Sequence, residues 1–205
     1  MKPICPFDEA PLDCILPERL PEVLGLRDAF IAAKLASSRF LKPAINLRIR
    51  SAMTAIPSGL SEERRLLLDD LLMRDPEELA DFCRVLSVMI NHRAILRIAR
   101  GSMLREIASW CGDEALLMSL AGAKFPNFVN MKVLDTASRD LLDSYALETK
   151  ARLFGLMPDA YLERLKLRLP PSLVSEPVAF APDDPDEATF LHHVVQAREY
   201  CDGRK

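Results

Sequence analysis

The sequence has 205 residues, of which 49% are hydrophobic and 28% are charged, the composition of an ordinary globular protein. Its 30 acidic residues slightly outnumber its 27 basic ones, which argues against a nucleic-acid-binding protein. No apolar run of about 18 residues is present and the first residues lack a signal-peptide core, so we expect a cytoplasmic protein without membrane insertion. With 7 glycines and no sustained alternation of apolar and polar residues, the sequence predicts an all-α fold.

We predict one domain, a compact array of short and medium helices between a strap and an arm. Residues 1–20 contain closely spaced prolines, which prevent a long helix, and are predicted to form an extended strap. Residues 21–169 form the helical core, and residues 170–205 form a proline-rich, acidic arm with a final helix from about Asp186 to Tyr200. The apolar residues expected to anchor the strap on the core are Phe7, Leu12, Ile15, Leu16 and Leu20.

The first helix of the core is predicted to begin at Pro21 and to end near Phe40. Proline is favoured at the first helical position. Leu26, Phe30 and Ala33 recur at helical spacing, so they are predicted to form its buried face.

Two further helices are predicted before residue 75. One follows Pro43, although Ile45, Leu47 and Ile49 also alternate as they would in a short strand. Ser61 is predicted to cap the next helix, whose first turn is acidic and therefore complements the helix dipole.

Residues 75–120 are predicted to form several packed helices at the centre of the core. Apolar residues before Ile90 share one helical face, whereas Ile95 and Ile98 lie on the opposite face. Either the helix breaks beside Asn91 or it is buried on both sides. Glycines at positions 101 and 112 indicate further helix boundaries.

The rest of the core is predicted to contain a loop and two helices. The loop covers residues 121–135, and Asp135 or Thr136 is expected to cap the long helix that follows it. Gly155 and Pro158 end this helix, and a shorter helix begins around Pro158.

The central stretch is strongly basic, with no Asp or Glu between Cys83 and Arg105. Two interpretations are open. The arginines either pair with carboxylates elsewhere or extend from helix faces, or they form a docking surface for an acidic protein partner. Together with two arginines of a later basic segment, the candidate partner-binding cations are Arg84, Arg93, Arg97, Arg100, Arg105, Arg164 and Arg168.

The C-terminal arm has the opposite charge, because residues 170–196 contain five acids and no Lys or Arg. Because the charges are opposite, the arm could lie across the central arginines, either those of its own subunit or those of another subunit. The candidate partner-binding acids are Asp183, Asp184, Asp186 and Glu187.

The sequence predicts no catalytic, cofactor-binding or metal-binding residue. No Gly-rich phosphate loop or GxSxG motif is present, and the adjacent His192 and His193 are expected to be surface or interface residues. The five cysteines form no CxxC pair, which fits a reducing compartment, and Cys83 and Cys111 are predicted to be small core residues.

Three blocks of sequence resemble the K subunit of bacterial type III secretion systems, the SctK family that includes YscK, PscK, MxiK and OrgA. The first is PLDCILPERL, where Cys14 and Leu16 replace the common aromatic and histidine. The second is CRVLSVMINHRAILRIARGSMLREI, which begins at Cys83. The third is RLKLRLPPSLVSEP, which runs from Arg164 to Pro177. The blocks occur in the family's order and span nearly the whole chain.

The resemblance implies a mostly helical, non-enzymatic cytosolic adaptor. In such systems the K subunit links the cytoplasmic domain of SctD, the inner-membrane ring protein, to the SctQ pods of the sorting platform, which also carries SctL and the SctN ATPase. Two alternatives come from other classes. A secretion chaperone or regulator with a single client predicts an exposed apolar groove and a stable dimer, whereas a helical enzyme predicts a deep pocket with convergent polar groups.

Overall fold

The computed structural model describes residues 6–98, 100–120, 138–180 and 185–203. All regular secondary structure in these ranges is helical, which confirms the predicted all-α fold. None of the helices in the described ranges is both long enough and apolar enough to cross a membrane. The helices are α1 Pro6–Glu9, α2 Pro11–Cys14, α3 Leu20–Leu24, α4 Ala29–Ser37, α5 Lys42–Ala52, α6 Glu62–Met73, α7 Pro76–Ile90, α8 His92–Leu96, α9 Gly101–Cys111, α10 Asp113–Leu120, α11 Arg139–Gly155, α12 Asp159–Arg168 and α13 Pro185–Asp202, with 3-10 turns at Pro17–Arg19 and Pro171–Leu173.

The chain divides into two compact units. Unit 1 contains Met1–Pro76 and Met157–Val174, and unit 2 contains Glu77–Leu156 and Ser175–Lys205. These limits differ from the predicted strap, core and arm because α12 packs on α6 in unit 1 and residues 175–180 pack on α11 in unit 2. The single-domain organisation stays a prediction.

The predicted N-terminal strap is not extended over its described residues, which form short helical turns in unit 1. Its prolines stand at the first positions of these turns, where their missing N–H leaves no helical hydrogen bond unmade. The backbone N–H of Leu12 donates to Asn46 Oδ1 at 3.0 Å, and that of Leu16 donates to Leu167 O at 3.0 Å. Leu16 is half-buried, whereas the predicted anchors that are buried are Phe7, Leu12, Ile15 and Leu20.

The helix predicted from Pro21 to Phe40 is broken into α3 and α4. Gly25 ends α3 in the left-handed region at φ 67°, which glycine adopts without strain. Asp28 then caps α4, and its carboxylate accepts hydrogen bonds from Phe30 N at 2.8 Å and Ile31 N at 3.1 Å. The predicted buried face is wrong, because Phe30 is 66% exposed and Ala33 is also exposed.

The remaining helices of unit 1 agree with the sequence pattern. The segment after Pro43 is helical rather than a strand, and Ser61 caps α6 by accepting a hydrogen bond from Arg64 N at 3.2 Å. Tyr161 of α12 donates its hydroxyl to Asp69 of α6 at 2.9 Å. The leucines that α6 buries are Leu67, Leu68, Leu71 and Leu72.

The central stretch forms α7 to α10. The helix breaks at Asn91, which is one of the two predicted arrangements. Asn91 Nδ2 donates to Ser87 O at 2.8 Å, so its side chain closes the end of α7 instead of capping α8. Gly112 ends α9 at φ 94°, as its position predicted, but Gly101 begins α9 rather than ending an earlier helix. The apolar face predicted for α7 is buried and comprises Leu79, Phe82, Cys83, Leu86, Met89 and Ile90.

The predicted C-terminal arm is divided between the units, since its residues up to Val174 belong to unit 1, whereas residues 175–180 pack on α11 within unit 2. Val178 N donates to Ala151 O at 2.9 Å, and a Cβ atom on Gly155 would lie 2.0 Å from Val178 O. The Phe180 ring lies 5.5 Å from that of Phe190 in α13. The predicted loop at 121–135 and the predicted cap at Asp135 or Thr136 lie outside the described residues.

Candidate functional site

Four predicted arginines of unit 2 are exposed and lie close together in the sequence, within residues 93–105. We call them the α8–α9 arginine cluster: Arg93, Arg97, Arg100 and Arg105. In the part of the chain that the structure describes, no carboxylate lies within salt-bridge distance of any of them. Within the described ranges their charges are therefore not neutralised by ion pairs of the kind that α7 and α11 contain. This is the arrangement expected of a docking surface for an acidic partner.

Arg93 in α8 and Arg97, which follows the last residue of this helix, are both exposed. Ala94 and Ile95 are buried and attach α8 to unit 2. Arg93 and Arg97 are four residues apart, so they lie on the same side of this short helix. Leu96, between them in sequence, is 50% exposed and places an apolar side chain in the basic surface.

The beginning of α9 adds to the positive potential. Arg100 is the residue that precedes α9, its backbone is extended, and the first turn of the helix contains no acidic residue. Unsatisfied N–H groups and the helix dipole make this end attractive to anions. The far end of α9 is fixed by Trp110, whose indole N–H donates to Asp143 at 2.8 Å.

The other three predicted arginines make contacts within their own unit. Arg84 pairs with Asp81, one turn earlier in α7. Arg164 is buried in unit 1, where its guanidinium donates to Ala160 O at 2.7 Å and Thr54 O at 3.0 Å. Arg168 donates to the carbonyl of Leu72, also in unit 1. Because Arg164 satisfies backbone carbonyls from the interior, it stabilises unit 1 and is not part of the exposed basic surface.

Among the described residues, neither predicted acid of the arm, Asp186 or Glu187, forms an ion pair with the α8–α9 arginine cluster. Asp186 is buried and Glu187 is half-buried, and both lie in the first turn of α13, where a carboxylate complements the helix dipole. Asp183 and Asp184 lie outside the described residues.

Two histidines of unit 2 are buried, contrary to the expectation that His193 is a surface or interface residue. His193 Nδ1 lies 2.7 Å from Thr189 O, and His92 Nδ1 lies 3.0 Å from Met89 O. Their ring centroids are 6.4 Å apart. Burial lowers the pKa of both imidazoles, and the neighbouring Arg93 also lowers the pKa of His92.

The cysteines of the central stretch are core residues, as predicted. Burial raises the pKa of the Cys83 thiol to about 12 and that of the Cys111 thiol to about 11, so neither is a thiolate at neutral pH. Within the described ranges, no group of three or more His, Cys, Asp or Glu side chains is arranged to hold a metal ion.

Unit 1 carries a surface that the sequence did not predict, an apolar groove of about 840 Å³ between α3, α4, α5 and α12. Its lining includes Val23, Leu35, Ile45, Met53 and Leu167. The missed signal is the Gly25 turn followed by the Asp28 cap, since a continuous helix over 21–40 hides the groove. The exposed apolar side chains of α4, α5 and the turn between them are Phe30, Ile31, Phe40, Leu41 and Leu47.

Comparisons of the chain with protein-family models, with curated protein sequences and with solved structures found no significant match.

Proposed function

We propose that this chain is a non-enzymatic cytosolic adaptor of a bacterial type III secretion system, peripheral to the inner membrane. In this role it links the cytoplasmic domain of SctD to the SctQ pods, and through them to SctL and the SctN ATPase, and so supports effector secretion. The names of the partners come from the resemblance of three sequence blocks to the K subunit family. The single structural observation that carries the proposal is the α8–α9 arginine cluster.

The cluster lies inside the second of those blocks, residues 83–107. Arginine keeps its charge at all physiological pH values and binds carboxylates in a bidentate manner. An acidic partner would be attracted by these four charges, which no carboxylate of the described residues pairs, and the exposed Leu96 would supply apolar contact beside Arg97. The surface thus combines electrostatic attraction with an apolar anchor, as protein-binding surfaces do.

The proposal divides the predicted site residues into two groups. The four arginines of the cluster are assigned to one partner. Arg84, Arg164 and Arg168 are assigned a structural role because each contacts other residues of its own unit. Asp186 is buried in the first turn of α13, so the remaining acids of the arm are the proposed contact for a second partner.

The test is co-purification of the tagged chain from its native cytoplasm, with the retained proteins identified by mass spectrometry. We expect SctQ and SctD to be recovered together. The double variant Arg97→Glu, Arg100→Glu reverses two charges of the cluster, so it should lower recovery of at least one partner about tenfold or more. Arg139→Glu is the matched control, since this arginine is exposed and lies outside the cluster in the same unit. Full recovery of both partners by the double variant would refute the proposal.

The apolar groove of unit 1 favours a second candidate function, a type III secretion chaperone or regulator that binds a single client. This candidate predicts a stable dimer and the recovery of one small client. Sedimentation of the purified chain separates the two functions, because the adaptor proposal does not require a dimer.

A further inference from the structure

We infer that the apolar groove of unit 1 is the binding site for an amphipathic partner helix whose polar flanks are acidic. This inference does not rest on the type III secretion role, because it is carried by residues of unit 1 alone. The groove volume of about 840 Å³ lies within the range of about 300–1,000 Å³ that is usual for ligand sites. An amphipathic helix places its apolar face into such a groove and leaves its polar flanks at the rim.

The acidic residues of the groove are already engaged within unit 1. Glu22 accepts a hydrogen bond from Arg19 at 3.1 Å, and Glu163 accepts one from Thr54 N at 3.0 Å. These two carboxylates are therefore partly neutralised or hydrogen-bonded before any partner arrives.

The basic residues of the groove have no such partner. Arg48 and Lys166 line the groove, and no carboxylate of the described residues lies within salt-bridge distance of either. Three further basic side chains of residues 27–50 are exposed and lie in no ion pair among the described residues: Arg27, Lys34 and Arg39. Lys42, by contrast, pairs with Asp13.

Because Glu22 is paired with Arg19, Glu163 is the one acid of the groove lining that no cation pairs within the described residues. Arg48 and Lys166 outnumber it. The excess charge of the groove is therefore positive, which favours an acidic ligand.

The apolar surface continues beyond the groove, which favours a macromolecule over a small ligand. Ile31 is 48% exposed and lies one helical turn before Leu35, which lines the groove. Leu41 lines the groove and is itself 43% exposed, and the adjacent Phe40 is 92% exposed. A helix seated in the groove would cover this continuous apolar surface.

Two other occupants fit the same residues less well. A second copy in a two-fold contact would place the basic α4–α5 segment against its own equivalent, and like charges repel. An anionic membrane would satisfy the basic and apolar side chains, but a flat lipid surface would leave the concave groove unfilled.

The test is selection from a phage-displayed library of helices of about 18 residues with a fixed leucine face and flanks varied among Glu, Gln and Lys. We expect Glu to be enriched on the flanks. In fluorescence polarisation, Ala44→Glu in the groove should weaken binding of the selected peptide about tenfold or more. The double variant Arg48→Glu, Lys166→Glu should reverse the preference, so that the Lys-flanked version of the peptide binds better than the Glu-flanked one.

Leu117→Glu is the matched control, because Leu117 is an exposed leucine of α10 in unit 2, and it should leave the affinity unchanged. Circular dichroism of each variant separates loss of the site from loss of the fold. Flotation with phosphatidylserine vesicles and sedimentation of the free chain test the other two occupants. The inference would be overturned if the selection did not favour Glu over Lys, or if the selected peptides bound equally well to the Ala44→Glu variant. It would also be overturned if the free chain bound vesicles or dimerised and Ala44→Glu abolished that binding.

Discussion

In unit 2, α8 and α9 bury several of their apolar residues and expose arginines, whereas in unit 1, α4 buries a single residue, Ala32, and exposes the aromatic ring of Phe30. The first surface would bind a partner mainly through charge, with Leu96 as its one exposed large apolar side chain among the described residues, so its binding should weaken as salt increases. The second contains apolar area that a partner would remove from water, so its binding should depend much less on salt. The comparison indicates two binding surfaces of different physical character.

The largest expected effect is the difference in stability loss between replacing a buried aromatic residue in unit 2 and an exposed one in unit 1. Phe82 in α7 is fully buried, so Phe82→Ala should lower the free energy of unfolding by about 3–5 kcal/mol. Phe30→Ala in α4 should change it by less than about 0.5 kcal/mol, because this ring is mostly exposed in the free chain. Urea unfolding followed by circular dichroism measures both values. Equal losses would show that α4 is packed as tightly as α7.

A smaller effect is expected where the arm packs on α11. Gly155→Ala would bring a Cβ atom against the backbone of Val178, so we expect a loss of about 1–3 kcal/mol in thermal or urea unfolding. Gly59→Ala in unit 1 is the matched control, because a Cβ atom there meets no other group within 4 Å. If both variants unfold alike, the arm does not contact α11 as described.

The buried histidines predict that unit 2 loses stability in acid. Their pKa values are lowered in the folded state, so the unfolded chain binds protons more readily and the free energy of unfolding falls as pH drops below the ordinary histidine value. The slope should be at most about 1.4 kcal/mol per pH unit for each histidine below a pH of about 6.5. Urea unfolding between pH 7.5 and pH 5.5 tests this, with His193→Gln expected to reduce the slope. The exposed His192→Gln should have a smaller effect, because His192 acts only by lowering the pKa of His193. A slope that both variants share with the wild type would contradict the assignment.

Local sequence signals predicted those parts of the fold that depend on one residue and its neighbours. Ser61 before an acidic turn, Gly112 after an apolar helix and Pro158 before α12 each mark a helix end in the structure. Such signals act through the backbone of the same segment, so they can be recognised without knowledge of the tertiary fold.

The apolar groove and the buried histidines could not be predicted in the same way. Helical periodicity predicts that the face containing Phe30 is buried. The cap formed by Asp28 starts a new helix, α4, so a different face of this helix packs on the core. His92 and His193 lie about 100 residues apart in sequence and approach each other only in the folded unit. The arginines, by contrast, lie close together in sequence, so their concentration was visible without the fold, and the structure shows which of them are exposed.

The most direct test of the adaptor role is a titration of the purified chain with purified SctQ and with the cytoplasmic domain of SctD at low and high salt. We predict that one of these partners binds with an affinity that falls as salt increases, and that the variant Arg97→Glu, Arg100→Glu weakens this binding about tenfold or more while Arg139→Glu does not. Binding of neither partner, or binding that is equal for both variants and the wild type, would contradict the proposed role of the α8–α9 arginine cluster.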